Sequence, residues 1–323
     1  MGMQLEANCA TTAMGIMPHT DIDRALELAL GMDIPFWPQL PKVSFCEDMY
    51  VQASEKFPGI VLDEENETTC FSTGKFMEDL TAYTERLEDP DSLALSEDSS
   101  VVYHRFLERG LPGYRAVRGQ LTGPVSLGFK VMDEDLKPII YNDSVRELMY
   151  DFIQRKVNVQ YRELKKQNAG AFVWLDEPGL GWVFSGLSGY NDVQAKRDYD
   201  EFMAGIEGPR ALHLCANVNL PYLLSIGIDL LSFDAYQIEF MPKGYAASVA
   251  DFVRGGGIIA WGIVPTESSV LDTETPETLA TRLSEYFDVV AAGTGLSAER
   301  LAASALIAPA RCCLKNYEDK AEK

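Results

Sequence analysis

Eight short apolar runs alternating with helical patterns constrain the fold of this chain more than any other feature. They cover residues 11–16, 34–37, 116–121, 172–176, 211–215, 229–234, 257–263 and 304–308. Most are continuous rather than alternating, as strands buried on both faces should be. Between most of them lies helical spacing. Residues 144–166 place Val145, Met149, Phe152, Ile153, Val157, Tyr161 and Leu164 along one face. Further helices are expected over 21–30, 192–206, 220–226 and 275–292. This alternation predicts an α/β chain folded as a parallel (β/α)8 TIM-like barrel. A doubly wound sheet would carry a Gly-rich phosphate turn after its first strand, and Met14-Gly15-Ile16-Met17-Pro18 is not one.

The 323 residues suit one barrel domain spanning 1–323, and 46% apolar residues supply a full core. Residues 41–112 exceed what a minimal barrel needs. They read as an insertion, a lid between the second and third strands over the C-terminal face. Within it we expect a hairpin (60–63 and 68–72), helices over 74–87 and 103–109, and an acidic, Ser-rich loop over 89–100. No run approaches the ~18 apolar residues of a membrane span. Residues 1–10 carry Glu6 and Asn8 and no basic stretch, so a cytoplasmic location is expected. A net charge of -21 disfavours nucleic acid as a partner. Six scattered cysteines fit reduced thiols rather than a disulfide framework.

In barrels of this kind chemistry sits at the C-terminal strand ends. Those positions hold Gln120, Asp176-Glu177, His213, Cys215, Asp234, Glu267 and Cys312. His213 and Cys215, two apart on a strand, point to the same face. With Cys312 and Asp234 they offer one imidazole, two thiols and a carboxylate, the donor types of a zinc site. A thiolate-rich zinc is suited to binding a substrate thiol as its thiolate, and the natural reaction is alkyl transfer to sulfur. Asp234 is either a fourth ligand or a carboxylate behind the ligands. The plainer alternative is two structural cysteines and a core histidine. Asp176 and Glu177 either bind a substrate amino group or form a structural carboxylate pair. Gln120 is a pocket candidate, and His104, Trp37 and Trp174 read as packing.

Several stretches resemble the cobalamin-independent methionine synthase family, specifically its C-terminal catalytic barrel. His213-Leu214-Cys215 is similar to its His-x-Cys zinc pair, and Asp229-Leu230-Leu231-Ser232-Phe233-Asp234 to its following "DVI-S/T-I-E" strand. Leu296-Ser297-Ala298-Glu299-Arg300-Leu301 with Arg311-Cys312-Cys313-Leu314-Lys315 resembles its "LSPERL…PDCGLK" ending. Asp176-Glu177-Pro178, Gly123-Pro124-Val125-Ser126 and Gly15-Ile16-Met17-Pro18-His19-Thr20 resemble "DEPxL", "GPVT" and "GSFPQT". The resemblance spans most of the chain in order. It implies a zinc-dependent methyltransferase, on the barrel shared with uroporphyrinogen decarboxylase, acting on homocysteine or another small thiol. Cys312 rather than Cys313 would be the ligand, Asp176 would bind substrate, and Glu47 stands near a substrate-binding glutamate of the family.

Three departures bear on the chemistry. Ile16 replaces a serine that holds the amino-acid part of homocysteine, and Asp234 replaces a glutamate ligand. Glu267 replaces the histidine of "YDIHS". Methyl-tetrahydrofolate needs an acid to protonate its departing nitrogen, whereas a methyl-corrinoid leaves as cobalt(I) and needs none. The missing histidine therefore favours a methyl-corrinoid donor, with a corrinoid protein as partner. A folate-dependent methionine synthase with Glu267 as the catalytic acid is the alternative. Two further classes are a porphyrin decarboxylase, which would need arginines in residues 10–20 that the chain lacks, and a non-catalytic corrinoid-binding barrel.

Overall fold

A computed structural model of the chain describes residues 5–183, 188–215, 219–238 and 241–323. Among them are β1 (Ala10–Thr11), β2 (Ile60–Asp63), β3 (Thr68–Phe71), β4 (Arg118–Thr122), β5 (Phe172–Asp176), β6 (Arg210–Leu214), β7 (Leu230–Phe233), β8 (Ile258–Val264) and β9 (Ala305–Pro309). Seven of these form a curled sheet in the order β1-β9-β8-β7-β6-β5-β4, with every neighbouring pair parallel. The other two, β2 and β3, pair as the antiparallel hairpin expected over 60–72.

The fold is thus a mixed α/β structure with a seven-stranded curled parallel sheet, where the sequence predicts eight strands. The difference lies at the first two runs. Residues 11–16 supply only the two-residue β1. Residues 34–37 form no strand, because Pro35, Pro38 and Pro41 remove the backbone donors that a ladder needs. The segment still lies between the two sheet edges. Ile34 N–H donates to Thr11 O (3.0 Å), Arg118 N–H to Pro35 O (2.8 Å) and Gln39 N–H to Gly15 O (2.7 Å). Single bridges join Phe36 to Arg118 and Ile16 to Gln39.

The expected helices form with small shifts at their ends: Ile22–Leu30, Thr73–Arg86, Val101–Leu107, Asp143–Gln167, Asp192–Ala204 and Pro276–Thr294. Capping explains several of these bounds. Asp21 accepts the N–H groups of Asp23 and Arg24, and Asn142 accepts that of Val145. Gly295, at φ 71°, takes the left-handed conformation that ends the helix before it. The 220–226 helix shortens to Leu220–Leu223, and several further helices, Pro124–Lys130 and Lys243–Arg254 the longest of them, have no counterpart among the expected ones. No helix among the described residues is long and apolar enough to cross a membrane.

Strand alternation splits the apolar residues into two clusters. Outward side chains such as Leu175, Leu212, Leu231 and Trp261 pack against the helices. Inward ones, among them Phe172, Trp174, Ala211, Leu230, Ile258 and Leu306, make a separate interior cluster. Buried with this inner set are Arg118, Gln120, Asp176, His213 and Ser232. The 41–112 segment meets the carboxyl end of β4, where Thr122 Oγ1 donates to Met49 O (3.1 Å). Phe71 N–H donates to Met132 O (2.8 Å) just beyond the helix that follows β4.

At the chain's other end a short helix, Glu318–Glu322, bridges the first and last loops of the sheet. Glu322 pairs with His19 (3.1 Å) and Arg24 (2.6 Å), and Glu318 accepts the Thr20 N–H (2.8 Å). On its other side Lys320 and Lys323 reach Asp272 (2.7 and 3.1 Å). Beneath lies a 290 Å³ cavity lined in part by Met14, Met17, Met32, Leu271 and Ile307.

Gly262 of β8 gives a direct test of this packing. A Cβ there would stand 2.4 Å from Phe233 O and 3.0 Å from Ala310 Cα, both backbone atoms that cannot swing aside. Gly262→Ala is expected to lower stability by about 1–3 kcal/mol in urea denaturation. Gly293→Ala, in open space on a helix, should be neutral or stabilising by up to about 1 kcal/mol.

Candidate functional site

The candidate residues sit on β5, β6, β7 and the turn after β9. Asp176, His213 and Ser232 are Cα partners across adjacent strands, so they form one inward-facing row. His213 Nδ1 lies 3.0 Å from Ser232 Oγ. Its ring stacks on Trp174, with centroids 5.3 Å apart and planes at 20°. Trp174 in turn donates its indole N–H to Asp176 Oδ1 (2.9 Å). The Arg118 guanidinium lies over the same indole, 4.1 Å from the ring centre, and 5.0 Å from that of Phe36. Arg118 donates to Ala13 O (2.5 Å), and its Nη1 has no hydrogen-bond partner among the described residues.

Burial dominates the electrostatics of this row. It pushes the Asp176 carboxyl up to about 6, against the opposing pull of the Trp174 N–H and the Arg118 charge. Burial and then Arg118 bring His213 down to about 3, leaving a neutral imidazole at neutral pH. Burial also draws Arg118 down to about 9. Half-buried Cys215 is raised to about 12 by burial, then by the negative charges of Asp176 and Cys312. Cys312 is exposed. Asp234 is buried and accepts hydrogen bonds from Arg311 Nε (2.7 Å) and Gln237 N–H (3.1 Å).

The donor chemistry suits zinc, with a neutral imidazole and a thiol that only a nearby cation would ionise at neutral pH. The spacing is not that of a closed metal centre. No group of three His, Cys, Asp or Glu residues capable of holding a metal ion stands together among the described residues. Two physical reasons are visible. The His213 imidazole is stacked on Trp174. The Asp234 carboxylate is engaged by Arg311. Residues 216–218, which follow Cys215, lie outside the described residues.

The remaining candidates have structural partners. Gln120 Nε2 donates to Trp37 O (2.6 Å), while its Oε1 has no hydrogen-bond partner among the described residues. A Cβ on Gly15 would sit 2.6 Å from the Gln120 side chain, which would have to shift to admit it. Glu47 accepts hydrogen bonds from Gln52 (2.9 Å), Ser100 (3.0 Å) and the Val102 N–H (3.1 Å), tying residues 45–54 to the helix Val101–Leu107. Glu177 is fully buried beneath the helix Pro124–Lys130. It accepts the N–H groups of Val125 (3.0 Å) and Ser126 (2.8 Å), the Ser126 hydroxyl (2.6 Å) and the Tyr199 hydroxyl. These bonds fill the orphan donors of a helix start. Glu267 is exposed and caps the Ser268–Leu271 turn without a side-chain bond.

Arg118, Ser232 and Arg311 were not singled out from the sequence. A lone arginine within the apolar run 116–121, and a lone serine within Leu230-Leu231-Ser232-Phe233, were the available signals.

The raised Asp176 carboxyl has a measurable consequence. A carboxyl whose folded pKa lies above its unfolded value favours folding while protonated. That contribution is complete below about pH 3.8 and is lost as pH rises through about 6. In chelating buffer, wild type should therefore lose stability relative to Asp176→Asn between about pH 4 and pH 6, by up to about 3 kcal/mol. Parallel stability–pH curves for the two proteins would contradict it.

No protein-family model matches the chain, and no curated protein matches its sequence. Solved structures do share its fold. A B12-independent methionine synthase from Shewanella sp. W3-18-1, solved in complex with selenomethionine, superposes with a TM-score of 0.51 at 14% identity, over 98% of this chain and 94% of that one. A putative vitamin-B12 independent methionine synthase from Listeria monocytogenes gives 0.52 at 13% identity, over 94% and 82%. At these identities the likeness is one of fold, carried along nearly the whole chain.

Proposed function

We propose that this protein is a methyltransferase that delivers a methyl group to the sulfur of a small thiol, homocysteine or a close analogue. One observation carries the reading. His213, Cys215, Asp234 and Cys312 lie at the carboxyl ends of parallel strands, in a fold whose solved neighbours are described as B12-independent methionine synthases. In this reading the proline-rich 34–41 segment is the eighth stave of a (β/α)8 barrel, and residues 41–112 cover its C-terminal face.

His213, Cys215 and Cys312 would hold zinc, with Asp234 as a fourth ligand or as the carboxylate behind them. Bound zinc supplies a Lewis acid that keeps a substrate thiol deprotonated at neutral pH. The protein's own groups do the rest. His213 is already neutral, so it has no proton to lose before it ligates. Asp176, buried at the end of β5, is a counter-charge for a substrate ammonium. Arg311 balances Asp234.

The donor is decided by experiment. The methyl-corrinoid expected from the sequence runs against neighbours described as B12-independent. A tetrahydrofolate donor needs an acid, which the exposed Glu267 would have to be. Methyl-tetrahydrofolate and methylcobalamin, each supplied with homocysteine, form the two arms of the assay, and methylation of the thiol is expected in one of them. The purified protein should hold about one zinc per chain. Cys215→Ser and Cys312→Ser should lose metal and methyl transfer together, while Cys313→Ser keeps both. Silence with both donors, or equal zinc loss in the Cys312 and Cys313 variants, would count against the reading.

A further inference from the structure

Trp174 touches more of the candidate site than any residue assigned a role there. Its ring face meets the His213 imidazole at 20° and 5.3 Å, and its N–H holds Asp176 Oδ1 at 2.9 Å. Arg118 covers the same ring at 4.1 Å. The indole is fully buried, so its place is fixed by packing. We propose that Trp174 is the positioning residue of the site, setting the plane of the His213 ring through its face and the place of the Asp176 carboxylate through its N–H. This rests on the functional reading of His213 and Asp176 given above.

The physical argument has two parts. An imidazole rotates freely about its terminal side-chain torsion unless something flat or a hydrogen bond stops it. Here Ser232 holds one nitrogen and the indole face fixes the plane. A partner that orients a ligating histidine is worth about 10–100-fold in metal affinity. Among the described residues, the indole N–H is the one group that donates to the Asp176 carboxylate. One side chain therefore couples a candidate ligand to a candidate substrate anchor.

The test uses two substitutions and two readouts. Histidine ring resonances are few, since the chain has three histidines, and His104→Gln and His19→Gln assign them. Stacking on the indole predicts that His213 ring protons resonate upfield of the other two sets. Trp174→Leu should abolish that shift and weaken zinc binding by about 10–100-fold. Trp174→Phe keeps a ring face and loses only the N–H. It should retain the shift and the metal, and raise KM for homocysteine more than it lowers kcat. His213 resonances that do not move in Trp174→Leu overturn the proposal, as does metal loss in Trp174→Phe equal to that in Trp174→Leu. Should Trp174→Leu fail to fold, the KM-against-kcat split in Trp174→Phe decides. Should wild type neither bind zinc nor methylate a thiol, the functional reading falls, and the resonance shift still decides whether Trp174 orients His213.

Discussion

A guanidinium with no carboxylate in salt-bridge contact among the described residues sits inside the curled sheet, and the interior is arranged around it. Removing Arg118 from water costs several kcal/mol unless the charge finds other partners. It finds a carbonyl, Ala13 O, and two ring faces, Phe36 and Trp174. The ring face attracts a cation strongly when water is excluded. The same charge works on both neighbours along the row: it opposes protonation of Asp176 and opposes protonation of His213. Burial is the larger influence on each, raising Asp176 and lowering His213; the buried cation restrains the first shift and adds to the second.

Most of the fold was legible because strand and helix patterns are local. The continuous runs at 172–176 and 257–263, and the amphipathic run at 144–166, became β5, β8 and a 25-residue helix. The failure at 34–37 was legible too, in hindsight. Three prolines in eight residues cannot sustain a ladder, however apolar the side chains between them. The hairpin at 60–71 was readable from its four-residue polar turn, with Glu67 at positive φ. The helix Lys243–Arg254 is missing from the sequence reading although Tyr245, Val249, Phe252 and Val253 recur at helical spacing.

The candidate site is a reading of residue type, and its geometry was less legible. Parity along a strand places His213 and Cys215 on one face, but it says nothing of how each side chain turns once there. The Trp174 ring decides it for His213, as the Arg311 guanidinium does for Asp234, and both come from elsewhere in the chain. Trp174 reads as packing in sequence because a tryptophan in a strand usually is. Its N–H partner two residues on, Asp176, becomes visible only when both point inward. Arg118 escaped notice for a related reason. Buried arginines are rare, so an arginine in an apolar run looks like an interruption of the strand.

The short helix Glu318–Glu322 contributes no buried residue to the core. It is held across the first and last loops by pairs such as Arg24–Glu322 and Lys320–Asp272, most of whose members are substantially exposed. Attachment of this kind responds to different variables from those that govern the sheet. Each exposed pair contributes at most about 1 kcal/mol, and added salt screens it over the ~8–10 Å of a Debye length. The sheet, built on apolar burial, is indifferent to such salt. Ionic strength therefore acts as a selective solvent for this one strap, loosening the roof of the methionine-lined cavity while the strands beneath keep their register.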